Sequence, residues 1–291
     1  MTKLGAVFVP QWEPERLRGV ARAADEAGLE ELWLWEDCFF ESGVASAAAA
    51  LAWTERLRVV VGLLPVPLRN VALTAMEAAN LERMFPGRSM LGLGHGVQDW
   101  MGQAGARAGS PVTLMREYAT ALRALLAGEQ VTVSGRYVNL DGVELVWKPA
   151  SPPPLLVGAS GPRSLRLCGE VGDVVILSGG TTPAETARAR ALIEEGRAAA
   201  GRTDPVTLAV YLIAATGDDH RERLRRAHAT WGMTAPVEDV TVGGDAAAIA
   251  AGVRRWTDAG ADTIVLQPTE DEPSPEDFVR FVATELRPLV G

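Results

Sequence analysis

With 291 residues and 47% hydrophobic content, the chain is long enough for one large core, either a barrel or two smaller domains. A formal net charge of −9 with no basic run argues against nucleic acid and anionic membrane surfaces as partners. No apolar segment approaches the roughly 18 residues of a membrane span, and the N-terminus lacks the apolar region and small-residue cleavage site of a secretion signal, so a cytoplasmic protein is expected.

In chain order, short apolar runs alternate with longer helical patterns. Strands are predicted at 4–9 (LGAVFV), 30–35 (EELWLW), 57–63 (LRVVVGL), 89–94 (SMLGLG), 154–158 (PLLVG), 173–177 (DVVIL), 206–214 (VTLAVYLIA) and 262–267 (DTIVLQ). These runs are apolar without strict alternation, the pattern of strands buried on both faces of a parallel sheet. A helix is expected after each one. Ser110–Pro111, Thr182–Pro183 with Glu185, and Ser274–Pro275 with Asp277 carry helix-start signals, a capping residue followed by proline in the first turn. DEAGLEELW and DAGADTIVL each end a helix on glycine before the next strand. The stretch 129–149 breaks this rhythm; it alternates and contains turn residues, so a hairpin inserted before the fifth strand is predicted. Eight βα units over this length predict one α/β domain, residues 1–291, folded as a (β/α)8 TIM barrel rather than a doubly wound sheet.

The site of such a barrel lies at the C-terminal strand ends. The fourth strand runs into GLGHGV, which places His95 between two glycines that let backbone approach a ligand. The plain alternative is a capped turn whose histidine satisfies a backbone group. GLGHGV is not a dinucleotide fingerprint, because Val97 stands where a third glycine is needed. After the fifth strand, Ala159, Ser160, Gly161 and Pro162 form a small-residue loop that opens a helix, either an anion site built from backbone N–H groups or an ordinary βα turn. Asp37, at the end of the second strand, is a candidate for proton transfer or for orienting a polar ring, with a helix cap or rim ion pair as the bland reading. Trp12 and Trp100 are candidates to wall the substrate space. His220 and His228 lie in an arginine-rich helix and are read as a solvated face. The two lysines, Lys3 and Lys148, end no apolar strand, so Schiff-base catalysis is not expected. Cys38 and Cys168 stand far apart and in no metal-ligand spacing, so neither a disulfide framework nor a metal site is expected.

Four stretches taken together resemble the bacterial-luciferase-like monooxygenase superfamily. They are AADEAGLEELWLWED, RLRVVVGLLPVPLRNVALTAMEAANLERMFPGRSMLGLGHG, PPPLLVGASGPRSLRLCGEVGDVVIL and VTVGGDAAAIAAGVRRWTDAGADTIVLQP. The short length is similar to the deazaflavin branch, which includes methylenetetrahydromethanopterin reductase and sugar-phosphate dehydrogenases. The resemblance implies an oxidoreductase that passes hydride between coenzyme F420 and a small organic substrate, and a homodimer. An FMN-dependent monooxygenase is the alternative, and a non-catalytic flavin-binding protein the second alternative. It further implies that Asp37 and Cys38 border the ring, that a non-proline cis bond joins Gly62 and Leu63 in a bulge behind it, that Ala159 to Pro162 hold the cofactor phosphate, and that His95 faces ring and substrate. Cys38 replaces a histidine common in relatives. Val97 replaces a glutamate of the sugar-phosphate dehydrogenases, so that chemistry is not expected here. His95, with a side chain that titrates near neutrality, is the residue expected to transfer a proton or hydrogen-bond the substrate, with Asp37 beside it.

Overall fold

The computed structural model describes residues 2–290. Every predicted apolar run forms a strand. They are β1 (Lys3–Val7), β2 (Glu31–Leu34), β3 (Arg58–Pro65), β4 (Ser89–Gly94), the inserted pair β5 (Val131–Ser134) and β6 (Asn139–Val143), then β7 (Leu156–Gly158), β8 (Val174–Leu177), β9 (Thr207–Ala215), β10 (Thr241–Gly243) and β11 (Thr263–Pro268). Parallel pairing runs β1-β2-β3-β4-β7-β8-β9-β11, and β11 pairs back onto β1, which closes a (β/α)8 TIM barrel. The antiparallel β5–β6 pair is the predicted hairpin. β10 was not anticipated: it adds beside the far end of β9, with Thr241 opposite Ile213, and is too short to show a period.

Helices cover the outer face, so strand residues are buried on both sides; eight successive residues of β9, Leu208 to Ala215, are buried. The helix Pro183–Ala199 begins with the expected capping box: the Glu185 N–H donates to Thr182 Oγ1 and the Thr182 N–H donates to Glu185 Oε2. Ser110 and Ser274 precede helices with proline in the first turn but cap no backbone group. Each hydroxyl is taken by a polar side chain three residues on instead: Ser110 Oγ lies 2.8 Å from Thr113 Oγ1, and Ser274 Oγ donates to Asp277 Oδ2 at 2.7 Å.

One irregularity shapes the barrel mouth. The β3–β4 register slips between Val61 and Leu64, and the Gly62–Leu63 peptide there is cis. Gly62 has no room for a side chain, since a Cβ would come 2.6 Å from Tyr211 Oη and 3.0 Å from the Trp33 ring. Tyr211, on β9, reaches across the interior and donates to the Gly62 carbonyl at 2.7 Å. Its ring packs edge-on against Trp33 and Trp35, with centroids 5.6 and 5.5 Å away. The bulge throws Leu63 over the neighbouring strands. A Cβ at Gly92 or Gly94 would come 2.8 Å from a Leu63 methyl, and one at Gly158 would overlap it too.

Tyr211→Phe keeps the aromatic packing but removes the donor to a buried carbonyl. A loss of about 1–2 kcal/mol is expected, read as a lower urea midpoint. An unchanged midpoint would show that the bulge stands without this hydrogen bond.

Candidate active site

The strand ends enclose a cavity of about 390 Å³ at the C-terminal mouth of the barrel. Seven of the sequence-predicted residues line it: Asp37, Gly62, Leu63, His95, Trp100, Ala159 and Ser160. Cys38, Gly161 and Pro162 adjoin lining residues along the chain but are not part of the wall. Trp12 is not brought to the cavity at all. Only 7% exposed, it packs edge-on against Phe8 at 5.3 Å and donates Nε1–H to the Glu270 carbonyl at 3.0 Å. An indole buried to this degree needs a partner for its N–H, and that partner draws Trp12 away from the mouth.

Two adjacent carboxylates leave β2 into opposite environments. Glu36 pairs with Arg69 at 2.9 Å and accepts the Gly43 N–H at 2.9 Å, while Arg69 also binds Glu77. Asp37 forms no side-chain hydrogen bond among the described residues, and burial raises its pKa to about 6. Glu41, three residues on from Cys38, is raised in the same direction, first by burial and then by Asp37, and its Oε1 is buried without a partner. Burial, then the charges of Asp37 and Glu36, raise the Cys38 thiol, which keeps it protonated and a weak nucleophile. The Cys38–Phe39 peptide is also cis.

His95 follows β4, as predicted, and faces the cavity. Its Nε2 lies 3.1 Å from Ser164 Oγ on the helix Pro162–Val171, and its Nδ1 is buried without a hydrogen-bond partner. Burial lowers its pKa, opposed in part by the Pro111 backbone, so the ring favours its neutral form more than a solvated histidine does. The helix holding Ser164 starts at the small-residue loop. Gly161 is its N-cap with extended backbone and no side-chain cap, and a Cβ built on Gly161 meets nothing within 4 Å. The helix start is thus left without a side-chain cap and with open space beside Gly161, an arrangement that can receive an anion.

Among the lining residues that escaped the sequence reading are Trp35, Ile176, Tyr211, Trp231 and Met233. The last two come from the loop after the helix His220–Thr230, which is not the purely solvated element expected. Its Arg223 is 3% exposed and pairs with Glu272 at 2.5 Å while donating to Thr269. His228 donates Nε2–H to the Ala235 carbonyl at 2.7 Å and so ties the loop back. His220 bonds the Gly217 carbonyl through Nδ1. A tryptophan in ATWGM, within a polar stretch, was the one available signal.

The family model described as Luciferase-like monooxygenase matches residues 5–274. The chain is 30% identical to F420-dependent hydroxymycolic acid dehydrogenase of Mycobacterium tuberculosis, over 95% of this chain and 86% of that one. It is 33% identical to 5,10-methylenetetrahydromethanopterin reductase of Methanolobus tindarius, over 71% of this chain and 63% of the reductase, so it spans less than two thirds of that relative's length. Among solved structures, an F420-dependent secondary alcohol dehydrogenase in complex with an F420-acetone adduct superposes with a TM-score of 0.88 at 22% identity, over 100% of this chain and 99% of that one.

Asp37 gives the site a pH signature. Its folded pKa of about 6 lies above the ordinary value of 3.8. As pH rises, the unfolded chain loses this proton first, so the group's contribution to stability is complete below about pH 4 and is lost between about pH 4 and 6. Asp37→Asn cannot ionise. It is expected to be more stable than the parent by roughly 1–2 kcal/mol at pH 7.5 and equal to it near pH 4, discounting the full two-unit shift for partial exposure. Equal denaturation midpoints at both pH values would show that Asp37 is solvated like an ordinary carboxylate.

Proposed function

The chain belongs to the luciferase-like monooxygenase family, and we propose that it is an oxidoreductase moving hydride between coenzyme F420 and a small organic substrate. The observation that carries this reading is the match along 95% of the chain to a relative named F420-dependent. FMN-dependent oxygenation and passive flavin binding are weaker readings, because the aligned relatives are named for F420 and for reductase or dehydrogenase activity.

The residues present fit such a cofactor. Leu63, lifted by the bulge and cleared by Gly92, Gly94 and Gly158, gives a planar ring an apolar floor. Ser160 and the N–H groups at the start of the helix Pro162–Val171 would hold the phosphate, in the space left open at Gly161. Coenzyme F420, when bound, would supply the hydride acceptor or donor. Asp37, with its pKa near 6, is mainly a carboxylate at neutral pH and can accept a hydrogen bond or a proton, and the His95 imidazole lines the same cavity as a second group for proton exchange. The apolar side chains around them exclude water and strengthen these contacts.

The proposal extends to a homodimer in the cytoplasm. The helix Val71–Met84 exposes Leu73, Met76 and Met84, an apolar stripe that a second copy would cover, and no helix among the described residues is long and apolar enough to cross a membrane.

Two variants test the assignment. His95→Ala is expected to slow single-turnover oxidation of bound reduced F420 by roughly two to four orders of magnitude, with much less change in cofactor affinity. Near-normal turnover would reduce His95 to a rim residue. Gly161→Val suits the extended backbone at that position, φ −82° and ψ 150°, and its Cβ meets no protein atom within 4 Å, so the urea midpoint should hold while F420 binding weakens at least about tenfold. Unchanged affinity would make the loop an ordinary βα turn.

A further inference from the structure

We infer that the cavity selects uncharged, apolar alcohols or ketones, and that Trp231 and Met233, held over it by His228, set this preference. The inference rests on the F420 reading for its chemistry, but the selectivity follows from the wall itself. No lysine or arginine lines the cavity among the described residues; the ionisable side chains there are Glu36, Asp37, His95 and Tyr211. Arg69, which pairs with the lining residue Glu36, is shared between Glu36 and Glu77. A phosphate or carboxylate entering this space would lose its hydration, meet no cation and face Asp37.

The rest of the wall is mainly apolar, with Ser160, Ser178 and Gln267 as its uncharged polar members. Val97 and Trp100 come from the segment after β4, and Trp231 and Met233 from the loop opposite in sequence. The Trp231 ring stands edge-on to Trp35, 6.1 Å between centroids. Met233 fills the space beside Gly179 and Gly180, where added Cβ atoms would come 4.0 and 3.5 Å from its side chain. Val97 and Trp231, both lining the cavity, remain 49% and 38% exposed. Large side chains left bare at the rim of a cavity mark a surface meant for an apolar ligand.

The loop owes its position to a compact set of bonds. His228 donates to the Ala235 carbonyl, the Met233 N–H donates to the His228 carbonyl at 3.1 Å, and Gly232 turns the chain at φ +58°. His228 is thus a positioning residue. In the oxidative direction, F420, when bound, would accept the hydride, with its two electrons, released as the alcohol's carbinol C–H bond breaks. The hydroxyl proton passes to His95 or Asp37, and the ketone remains.

Calorimetric titration tests the inference, with 4-phenylbutan-2-one and glucose 6-phosphate as probes, on the protein alone and saturated with F420. The ketone should bind both forms, and in the F420-saturated form, where the cofactor would fill the anion cradle, glucose 6-phosphate should show no saturation at ten times the ketone's Kd. Met233→Lys and Trp231→Ala should each weaken the ketone by about tenfold or more with F420 affinity unchanged. His228→Ala should weaken it less, and His228→Gln, which keeps a donor, should restore part of the loss. Sugar-phosphate binding to the F420-saturated form as tight as the ketone's, no ketone binding, or wild-type ketone affinity in Met233→Lys would each overturn the inference. Loss of F420 binding alone, with the ketone still bound, would instead sink the cofactor reading and leave the selectivity standing.

Discussion

The active-site mouth depends on one steric arrangement: the side chain of Leu63 occupies space that Gly92, Gly94 and Gly158 leave free on β4 and β7. Without that clearance, β3 could not bulge at Gly62, and its register with β4 would run through unbroken. The bulge turns a Gly62 carbonyl toward the interior, where it needs a donor, and Tyr211 supplies one from β9. Tyr211 is in turn set by the edges of Trp33 and Trp35. Four strands are therefore tied to a single irregular peptide, and the floor of the cavity is rigid because its supports are packed rather than looped.

On that floor the electrostatics are divided. Glu36 has its charge met by Arg69, while Asp37, the next residue, is half-buried without a cation or side-chain hydrogen-bond donor among the described residues. Two neighbouring carboxylates held in unlike environments take unlike roles, one structural and one free to exchange a proton. His95 complements Asp37, since burial favours its neutral ring where the carboxyl is pushed toward its acid form. Asp37 thus titrates closer to neutrality, and His95 binds a proton less tightly, than each would in solvent, which suits a site that must gain and lose a proton.

Much of this was legible in the amino-acid order. Eight unalternating apolar runs specified a barrel because strands buried on both faces cannot afford a polar period. The Thr182–Glu185 box and the 129–149 hairpin were readable because each is a local pattern with a local cause. His95 and Asp37 were found because a strand end places its residues at the mouth. What was missed depended on distant partners. Trp12 sits at a strand end but follows the Glu270 carbonyl, some 258 residues away. Tyr211 lies inside a strand that reads as plain core, and only the carbonyl it meets shows its purpose. Trp231 and Met233 follow a charged helix, and their inward turn rests on a His228 bond that no periodicity reveals. Ser110 and Ser274 precede prolines as caps do, yet their hydroxyls found nearer side-chain partners.

The central claim, that the Leu63 floor and the Gly161 cradle serve a deazaflavin, is tested most directly by cofactor choice. The purified protein, freed of ligand, is titrated in parallel with F420 and with FMN, following the absorbance and fluorescence of each. The account predicts saturable F420 binding with the tighter dissociation constant and the spectrum of a bound deazaflavin. Micromolar FMN binding with none for F420 would contradict it.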